Sequence, residues 1–444
     1  VVLLLHVNYS ETLQYLYDQL PMFQRIGPAA IKKDLTNTIA LCEALGNPQD
    51  QLTCIHIAGT NGKGSVANML SAVMTASGRK TGLYTSPHLI DFRERIRVDG
   101  VPCSEVFVVD FVDTWKDQIK SIQPSFFEIT VAMAFAYFRE KQCDICIIET
   151  GLGGRLDSTN IIQPVISVIT NIGWDHMALL GDTLPQIAGE KAGIIKSGIP
   201  VVIGEYQSDV EQVFRQKAAS EDTSLFYARE LVSIDVVSQD PGQLKIAYTS
   251  WLDEQVHELS SSLWGKFQHA NINTVLATLK LLQHEWPVSD DALSQGIAHV
   301  HLLTGFRGRM EVLGTSPLLV VDCAHNKDGI AALMEAVEPD TFEQVHVVFG
   351  AVQDKDVTPL LPLLPRHASY FLCRPDIPRG MQVDQLAQAF QHAELSAVIC
   401  GSVDNAVQQA ITDVGTAGLI LICGSIFVAA EALPLLDKKK TYEE

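Results

Sequence analysis

The segment that decides the fold reads Cys54-Ile55-His56-Ile57-Ala58-Gly59-Thr60-Asn61-Gly62-Lys63-Gly64-Ser65. Its apolar start predicts a buried strand, and the apolar stretch that follows, from Val66 to Ser77, predicts a helix. Between them, glycines let backbone N–H groups converge on phosphate oxygens, while Lys63 adds a charge and the helix N-terminus adds its dipole. We therefore predict a nucleotide-binding loop, with Ser65 capping the helix or contacting phosphate or Mg²⁺. The alternative is a purely structural strand–turn–helix connection.

Outward from this loop, short apolar runs alternate with helical patterns, as in a parallel sheet that is buried on both faces. The runs are Thr53–Ala58, Cys143–Ile148, Pro164–Thr170, Ile199–Ile203, Leu318–Val321, Val345–Phe349, Ser369–Leu372, Ala397–Cys400 and Leu419–Cys423. Residues 222–262 alternate differently and indicate an antiparallel insertion. We predict an α/β fold with two domains. Residues 1–305 form a P-loop-type ATPase domain with a mostly parallel sheet, and residues 306–444 form a smaller Rossmann-like domain.

Composition excludes several classes of protein. The 444 residues carry 32 basic and 52 acidic side chains, a net charge of −20, so we expect no nucleic-acid partner. No apolar run is long enough to span a bilayer, and the apolar N-terminus lacks the features of a signal peptide. Nine scattered cysteines fit a reducing compartment better than a disulfide framework. We expect a cytoplasmic monomer without membrane partners.

The loop Gly59–Ser65 resembles that of the Mur ligase superfamily, and its Gly-Lys-Gly-Ser ending is similar to the folate branch, the folylpolyglutamate synthase/dihydrofolate synthase family. Further segments agree with this family in the same order: Leu20–Gly27, Thr85–Leu89, Glu149–Asp157, Asp175-His176 with Leu180-Gly181, and Glu190–Lys196. The resemblance implies an ATP-dependent amide ligase that phosphorylates a carboxylate of a folate or dihydropteroate and then joins it to L-glutamate. Such a reaction needs positioning and charge neutralisation more than a covalent nucleophile. We predict that both acceptors serve.

The resemblance also implies two Mg²⁺ sites, and it leaves open an additional monovalent cation. Glu149 and Ser86 match metal ligands of the family, although a serine before a proline is also a common turn residue. His176 matches a ligand of the second ion, whereas its chemistry alone favours a hydrogen-bonding role. Lys191 matches a lysine that the family carbamylates, which turns a cation into a metal-binding anion and requires a lowered pKa. The alternative for Lys191 is a surface lysine on a helix.

Several residues match family positions that contact ATP or the intermediate. Asn271 would meet adenine, since an amide pairs with a base edge, although it could equally cap a helix. Arg309 would bind phosphate or a carboxylate, and Asp322 would contact the ribose. His325 would contact phosphate or the acyl intermediate, its alternative being a buried core histidine. Together with Lys63 and Lys191, His325 completes the predicted catalytic set.

Two residues depart from the family pattern near these positions. Arg307 replaces a proline at the expected hinge, and Cys323 replaces a glycine in the loop after Asp322. The Cys143–Cys146 pair has C-x-x-C spacing, but positions i and i+3 of a strand face opposite sides, so we assign it a structural role.

Two other functions remain open. A cell-wall Mur ligase would need a nucleotide-sugar region before the loop, and only 58 residues precede Gly59. A nucleotide-binding switch without ligase chemistry would leave Glu149, His176 and Lys191 without a joint purpose.

Overall fold

A computed structural model describes residues 8–20, 34–412 and 414–443. Its strands are β1 Cys54–Ala58, β2 Thr81–Tyr84, β3 Ile96–Val98, β4 Val101–Pro102, β5 Ile145–Glu149, β6 Ile166–Ile169, β7 Val201–Ile203, β8 Leu225–Tyr227, β9 Ile234–Asp240, β10 Gln243–Thr249, β11 Val256–Ser261, β12 Glu311–Thr315, β13 Leu318–Val321, β14 Val345–Phe349, β15 Ser369–Arg374, β16 Ala397–Ser402 and β17 Leu419–Cys423.

The helices of the described residues lie mainly between these strands. They are α1 Tyr9–Gln19, α2 Thr36–Ala44, α3 Lys63–Ala76, α4 Glu105–Thr114, α5 Lys116–Ile122, α6 Phe126–Lys141, α7 Met177–Leu180, α8 Leu184–Ala192, α9 Glu211–Ser220, α10 Ala228–Leu231, α11 Lys266–Leu282, α12 Asp290–Ala298, α13 Val300–Thr304, α14 Lys327–Val337, α15 Val383–His392, α16 Val403–Thr412 and α17 Ile426–Glu443. Within the described residues, no helix is both long and apolar enough to cross a membrane.

The large sheet has the strand order β4-β3-β2-β5-β1-β6-β7-β8. Strands β2, β5, β1, β6, β7 and β8 run parallel, and at one edge β3 pairs antiparallel with both β2 and β4. Every residue of β1 and β5 is buried, which explains why these strands are near-continuous apolar runs. Because β1 lies between β5 and β6, the loops that follow these three strands meet at one edge of the sheet, where open α/β sheets bind ligands.

The second sheet has the order β12-β13-β17-β14-β15-β16. Its strands are parallel except β12, which pairs antiparallel with β13. By its contacts the chain divides into two compact units, with the main break between Gly305 and Phe306. Two short segments, 236–246 and 260–269, group with the second unit.

The predicted fold class is confirmed, and each predicted strand overlaps an observed one. Besides β9 to β11, five strands lie outside the predicted runs: β2, β3, β4, β8 and β12. Strand β8 lies inside the region assigned to an antiparallel insertion, yet it pairs in parallel with β7 at the edge of the large sheet. The remaining strands of that region, β9 to β11, form a separate three-stranded sheet.

Candidate functional site

The glycine loop lies between β1 and α3 and is held by the segment that follows β6. Thr60 donates its backbone N–H to the carbonyl of Asn171 at 2.9 Å, and the N–H of Asn61 donates to the Asn171 side chain at the same distance. The Thr170 hydroxyl donates to the carbonyl of Asn61 at 2.6 Å. These hydrogen bonds fix the glycine loop to the segment that follows the neighbouring strand β6.

Two positions of the loop admit only glycine. A Cβ on Gly59 would lie 1.8 Å from the Thr170 hydroxyl oxygen, and a Cβ on Gly62 would lie 2.2 Å from Asn271 Oδ1. Gly62 also has a φ of +85°, a left-handed conformation that strains other residues. The close approach at Gly62 brings the buried Asn271 side chain directly against the loop.

Helix α3 begins at Lys63, and its N-cap residue is Gly62, which has no side chain to accept a capping hydrogen bond. The prediction that Ser65 caps this helix is therefore wrong, because Ser65 is its third residue. The first N–H groups of a helix have no partner inside the helix and favour an anion there. Ser65 itself is buried.

Two lysines converge on the first carbonyl of the loop. Lys63 Nζ donates to Gly59 O at 3.0 Å and to Thr60 O at 3.2 Å, and Lys191 Nζ donates to Gly59 O at 2.7 Å. Lys191 is buried on α8, so it is not a surface lysine. Burial and the neighbouring Lys63 ammonium lower the pKa of Lys191 from 10.5 to about 7. Near neutral pH a large fraction of its amine is therefore uncharged.

Two of the predicted metal ligands lie together at the carboxyl ends of adjacent strands. Glu149 is the last residue of β5 and is buried, and Ser86 follows β2 by two residues. The backbone N–H of Ser86 donates to Glu149 Oε2 at 3.3 Å. Arg155, in the loop that follows Glu149, forms an ion pair with Glu190 at 2.8 Å.

His176 lies after β6, in the left-handed conformation with φ +50°, and it precedes the short helix α7. Its Nε2 lies 3.6 Å from Asp175 Oδ2. The Asp175 carboxylate also raises the pKa of Lys191, against the larger effects of burial and Lys63. Asp175 thus belongs to this site although it was not among the predicted site residues; its place beside His176 was the available signal.

Asp157 is a second residue that the predicted set omits. Its buried carboxylate accepts the backbone N–H groups of Gly151 at 2.9 Å and Leu152 at 2.8 Å, in the loop that leaves Glu149. It also caps the 3₁₀ turn Ser158–Ile161 by accepting from Thr159 N. Burial raises the pKa of Asp157, and these hydrogen bonds oppose the rise.

In the second unit, Asp322 follows β13 and is almost fully buried. One carboxylate oxygen accepts from Met310 N and the other from Ala324 N, both at 2.7 Å. Burial raises the pKa of Asp322, and the nearby Arg309 guanidinium opposes the rise. Asp322 therefore holds its own loop through both carboxylate oxygens, and its charge interacts favourably with the Arg309 guanidinium.

His325 is half-buried, so it is not a fully buried core histidine. Its Nδ1 lies 2.9 Å from the carbonyl of Cys323, and because a carbonyl only accepts, Nδ1 carries the proton. The Cys323 N–H donates to Gly308 O at 3.0 Å, so the residue that replaces glycine is held in the same loop.

Arg307, the other departure from the family pattern, forms ion pairs on both sides. Its guanidinium binds both carboxylate oxygens of Asp437 on α17 at 3.0 Å each. Its Nε donates to Glu311, which also accepts the Gly308 N–H at 2.8 Å.

Two further predictions concern residues away from these loops. Of Leu20–Gly27 only Leu20 is described, and positions 21–27 lie outside the described residues. The premise that Cys143 and Cys146 face opposite sides of a strand is wrong, because Cys143 precedes β5. Burial and the neighbouring Cys143 thiol raise the pKa of the Cys146 thiol. All nine cysteines lie in the described residues and are free thiols.

Comparison with known proteins adds two family matches. Residues 57–279 match the Mur ligase middle domain, and residues 308–426 match the Mur ligase glutamate ligase domain. The chain is 34% identical over 435 residues to folylpolyglutamate synthase of Lacticaseibacillus casei, covering 96% of this chain and 97% of that protein.

Solved structures with these names are also similar to this chain in fold. A Mycobacterium tuberculosis folylpolyglutamate synthase complexed with ADP and AMPPCP has a TM-score of 0.84 at 30% identity, covering 97% of this chain and 99% of the other. A bifunctional folylpolyglutamate synthase/dihydrofolate synthase with Mn, AMPPNP and L-glutamate bound has a TM-score of 0.81 at 28% identity, covering 97% and 98%.

Proposed function

The chain belongs to the folylpolyglutamate synthase/dihydrofolate synthase family of Mur ligases, and we propose that it adds L-glutamate both to dihydropteroate and to the γ-carboxyl of reduced folates. As a member of this family it is an ATP-dependent ligase that uses a divalent metal ion. Family membership favours this function over a cell-wall ligase and over a nucleotide switch. The observation that carries the proposal is the convergence of Lys63 and Lys191 on Gly59 O, in a glycine loop that opens a helix.

The reaction balances in two steps. An acceptor carboxylate oxygen attacks the γ-phosphorus of ATP, which releases ADP and forms an acyl phosphate. The amine of glutamate then attacks the acyl carbon, the C–O bond to phosphate breaks, and the amine loses a proton. Phosphate thus leaves with one oxygen of the original carboxylate. Both steps depend on positioning and on neutralising phosphate charge.

We assign phosphate binding to the loop Gly59–Ser65 and adenine contact to Asn271. The backbone N–H groups at the start of α3 and the Lys63 ammonium supply positive charge. Asn271 suits the adenine role because its amide lies against Gly62, and an amide can donate to and accept from a base edge.

We assign the first Mg²⁺ to Ser86 and Glu149, and the second to His176 with a carbamylated Lys191. The Ser86–Glu149 pair fits a hard cation, since it joins a carboxylate and a hydroxyl, the oxygen ligands that Mg²⁺ prefers. When bound, the metal ions neutralise phosphate charge. No residues are assigned to a monovalent cation.

Lys191 fits a metal only after carbamylation. As an ammonium it shares one carbonyl with Lys63, so two positive charges repel each other in a buried place. Its lowered pKa, about 7, provides the neutral amine that reacts with CO₂. The carbamate would replace one of the two cations by an anion and so remove the repulsion.

In the second unit, which we propose to be the glutamate-ligase domain of residues 306–444, Arg309 contacts phosphate or a carboxylate and Asp322 the ribose. His325 contacts phosphate or the acyl intermediate. Support comes from the partial exposure of His325 and from Asp322, whose oxygens each retain a lone pair beyond the amide N–H that they accept. Residues 1–305 form the ATP-binding domain in this proposal. We further propose a monomer in a reducing cytoplasm, which nine free thiols support.

The test uses the purified enzyme with Mg²⁺, ATP, L-glutamate and either dihydropteroate or a reduced folyl monoglutamate. We expect one phosphate released per amide formed with each acceptor, and ¹⁸O in the acceptor carboxylate to appear in the phosphate. Omitting glutamate should abolish amide formation. If dihydropteroate gave no product, the enzyme would lack dihydrofolate synthase activity. If neither acceptor gave a product, the proposal would be overturned.

A further inference from the structure

A buried histidine lies in the strand that leads to the glycine loop. His56 is the middle residue of β1, has no exposed surface, and has no role in the function proposed above. Its Nε2 lies 2.8 Å from the hydroxyl oxygen of Thr159, and that hydroxyl donates to Asp157 Oδ1 at 2.5 Å. His56 is thus joined to two buried side chains from a distant part of the sequence in one series of hydrogen bonds.

The donor in each of these hydrogen bonds follows from the protons that the three side chains carry. The Thr159 hydroxyl has one proton, which it gives to Asp157, so His56 Nε2 must be the donor to the hydroxyl oxygen. His56 Nδ1 then carries a lone pair; among the described residues it has no hydrogen-bond partner. Burial, with the Lys196 ammonium nearby, lowers the pKa of His56 to about 3, so the ring is a fixed neutral donor and not a proton carrier.

The series of hydrogen bonds from His56 ends at the Asp157 carboxylate. Oδ1 accepts the Thr159 hydroxyl and the Thr159 N–H at 3.0 Å, and Oδ2 accepts the N–H groups of Gly151 and Leu152. Four donors occupy the four lone-pair positions of one buried carboxylate. One of the four donors is the Thr159 hydroxyl, so the orientation of that side chain contributes to how the carboxylate faces the loop.

The loop that Asp157 holds connects two proposed metal-binding residues. It leaves Glu149 at the end of β5, and at its other side Arg155 donates its N–H to Glu190 O at 2.8 Å, one residue before Lys191. A Cβ on Gly154 would lie 2.9 Å from Lys191 O, so the loop packs closely on α8. A displacement of this loop would therefore move Glu149 relative to Lys191.

We propose that His56 is a positioning residue, which acts through Thr159 and Asp157 to hold loop 150–157 and thereby the distance between Glu149 and Lys191. This inference rests on the proposed metal-binding role of those two residues. Hydrogen-bond partners beyond the direct ligands commonly change metal affinity by roughly 10- to 100-fold when they are removed.

The test compares four single variants and one double variant of the full-length protein. His56→Leu removes the donor, Thr159→Val removes the link while keeping its shape, and His56→Gln keeps a donor near the position of Nε2. His346→Leu is the matched control, because His346 is also a buried histidine within a parallel strand but lies in the second unit, bonded to Ala410 O.

Two measurements separate positioning from general destabilisation. Mn²⁺ binding is followed by electron paramagnetic resonance without nucleotide, and hydrogen exchange is followed in peptides that cover residues 150–157. We expect His56→Leu and Thr159→Val each to weaken Mn²⁺ binding about tenfold and to speed exchange in this loop. We expect His56→Gln and His346→Leu to bind Mn²⁺ within about twofold of the wild type, and the double variant at 56 and 159 to be no worse than either single one.

Unchanged Mn²⁺ affinity and loop exchange in both His56→Leu and Thr159→Val would overturn the inference. An equal loss in His346→Leu would also overturn it, since the effect would then be general. The proposed function fails separately, if the wild type makes no amide product. The Mn²⁺ and exchange measurements do not depend on that product.

Discussion

The loops after β1 and after β13 both follow a buried parallel strand, yet they use charge in opposite ways. After β1, the amino groups of Lys63 and Lys191 share the carbonyl of Gly59, and burial together with the Lys63 ammonium lowers the pKa of Lys191. After β13, both oxygens of Asp322 are taken by backbone N–H groups of its own unit. The first loop is thus prepared for an anionic ligand at a cost in stability, whereas the second uses its charge to hold itself together.

The largest expected effect is on turnover, and it tests the loop after β1. Lys191→Met should lose at least about 10³-fold in turnover, because it removes the proposed metal-binding carbamate, while ATP binding persists. Steady-state kinetics and nucleotide titration measure the two quantities. Lys191→Ala should regain part of its turnover with short carboxylates, and Lys217→Ala, at a partly exposed lysine on α9, serves as the control. Unchanged turnover in Lys191→Met would remove Lys191 from the mechanism.

The same variant should be more stable than the wild type. The pKa of Lys191 falls from 10.5 unfolded to about 7 folded, so between these pH values the unfolded chain binds a proton that the folded protein lacks. Wild-type stability therefore rises with pH across this window, and the full penalty applies below about pH 7. Lys191→Met should gain on the order of 4 kcal/mol at pH 7, and the gain should vanish towards pH 10.5. Denaturant unfolding in CO₂-free buffer at several pH values checks this.

For the loop after β13, we expect a substitution to lower the free energy of unfolding. Asp322→Asn places an N–H₂ group against the N–H of Met310 or Ala324, so one buried hydrogen bond is lost and two donors face each other. Unfolding free energy should fall by roughly 1–3 kcal/mol. Asp328→Asn, at an exposed position of α14, is the matched control. If Asp322→Asn proved as stable as the wild type, this loop would not depend on its carboxylate.

The smallest effect concerns the ion pairs that flank Arg309. Arg307→Ala removes the contacts with Glu311 and Asp437, whose side chains are partly exposed. We expect a loss of about 0.5–1 kcal/mol that shrinks in 1 M salt, because exposed ion pairs are weak and screened. A double-mutant cycle with Asp437→Ala measures the coupling. A loss independent of salt would indicate packing of the arginine stem and not charge.

The glycine loop, the buried strands and the family could be predicted because they depend on residues close together in the chain. Apolar runs predicted strands such as β13, β14 and β17 to the residue. Strands β2, β3, β4 and β12 were not predicted, since they are short or interrupted, and β8 was assigned to the antiparallel insertion. The site was predicted only in part: Asp157 and Asp175 were missed, and Ser65 does not cap its helix.

The sequence by itself determined the strand–loop–helix unit at Gly59–Ser65, because a buried strand, glycines and a helix start are each local preferences. Only the tertiary structure decided that Lys191 meets Lys63 at one carbonyl, and that His56 reaches Asp157 through Thr159. These contacts depend on the order in which β5, β1 and β6 lie in the sheet. Periodicity along the chain carries no information on that order, since each strand has the same apolar pattern wherever it pairs.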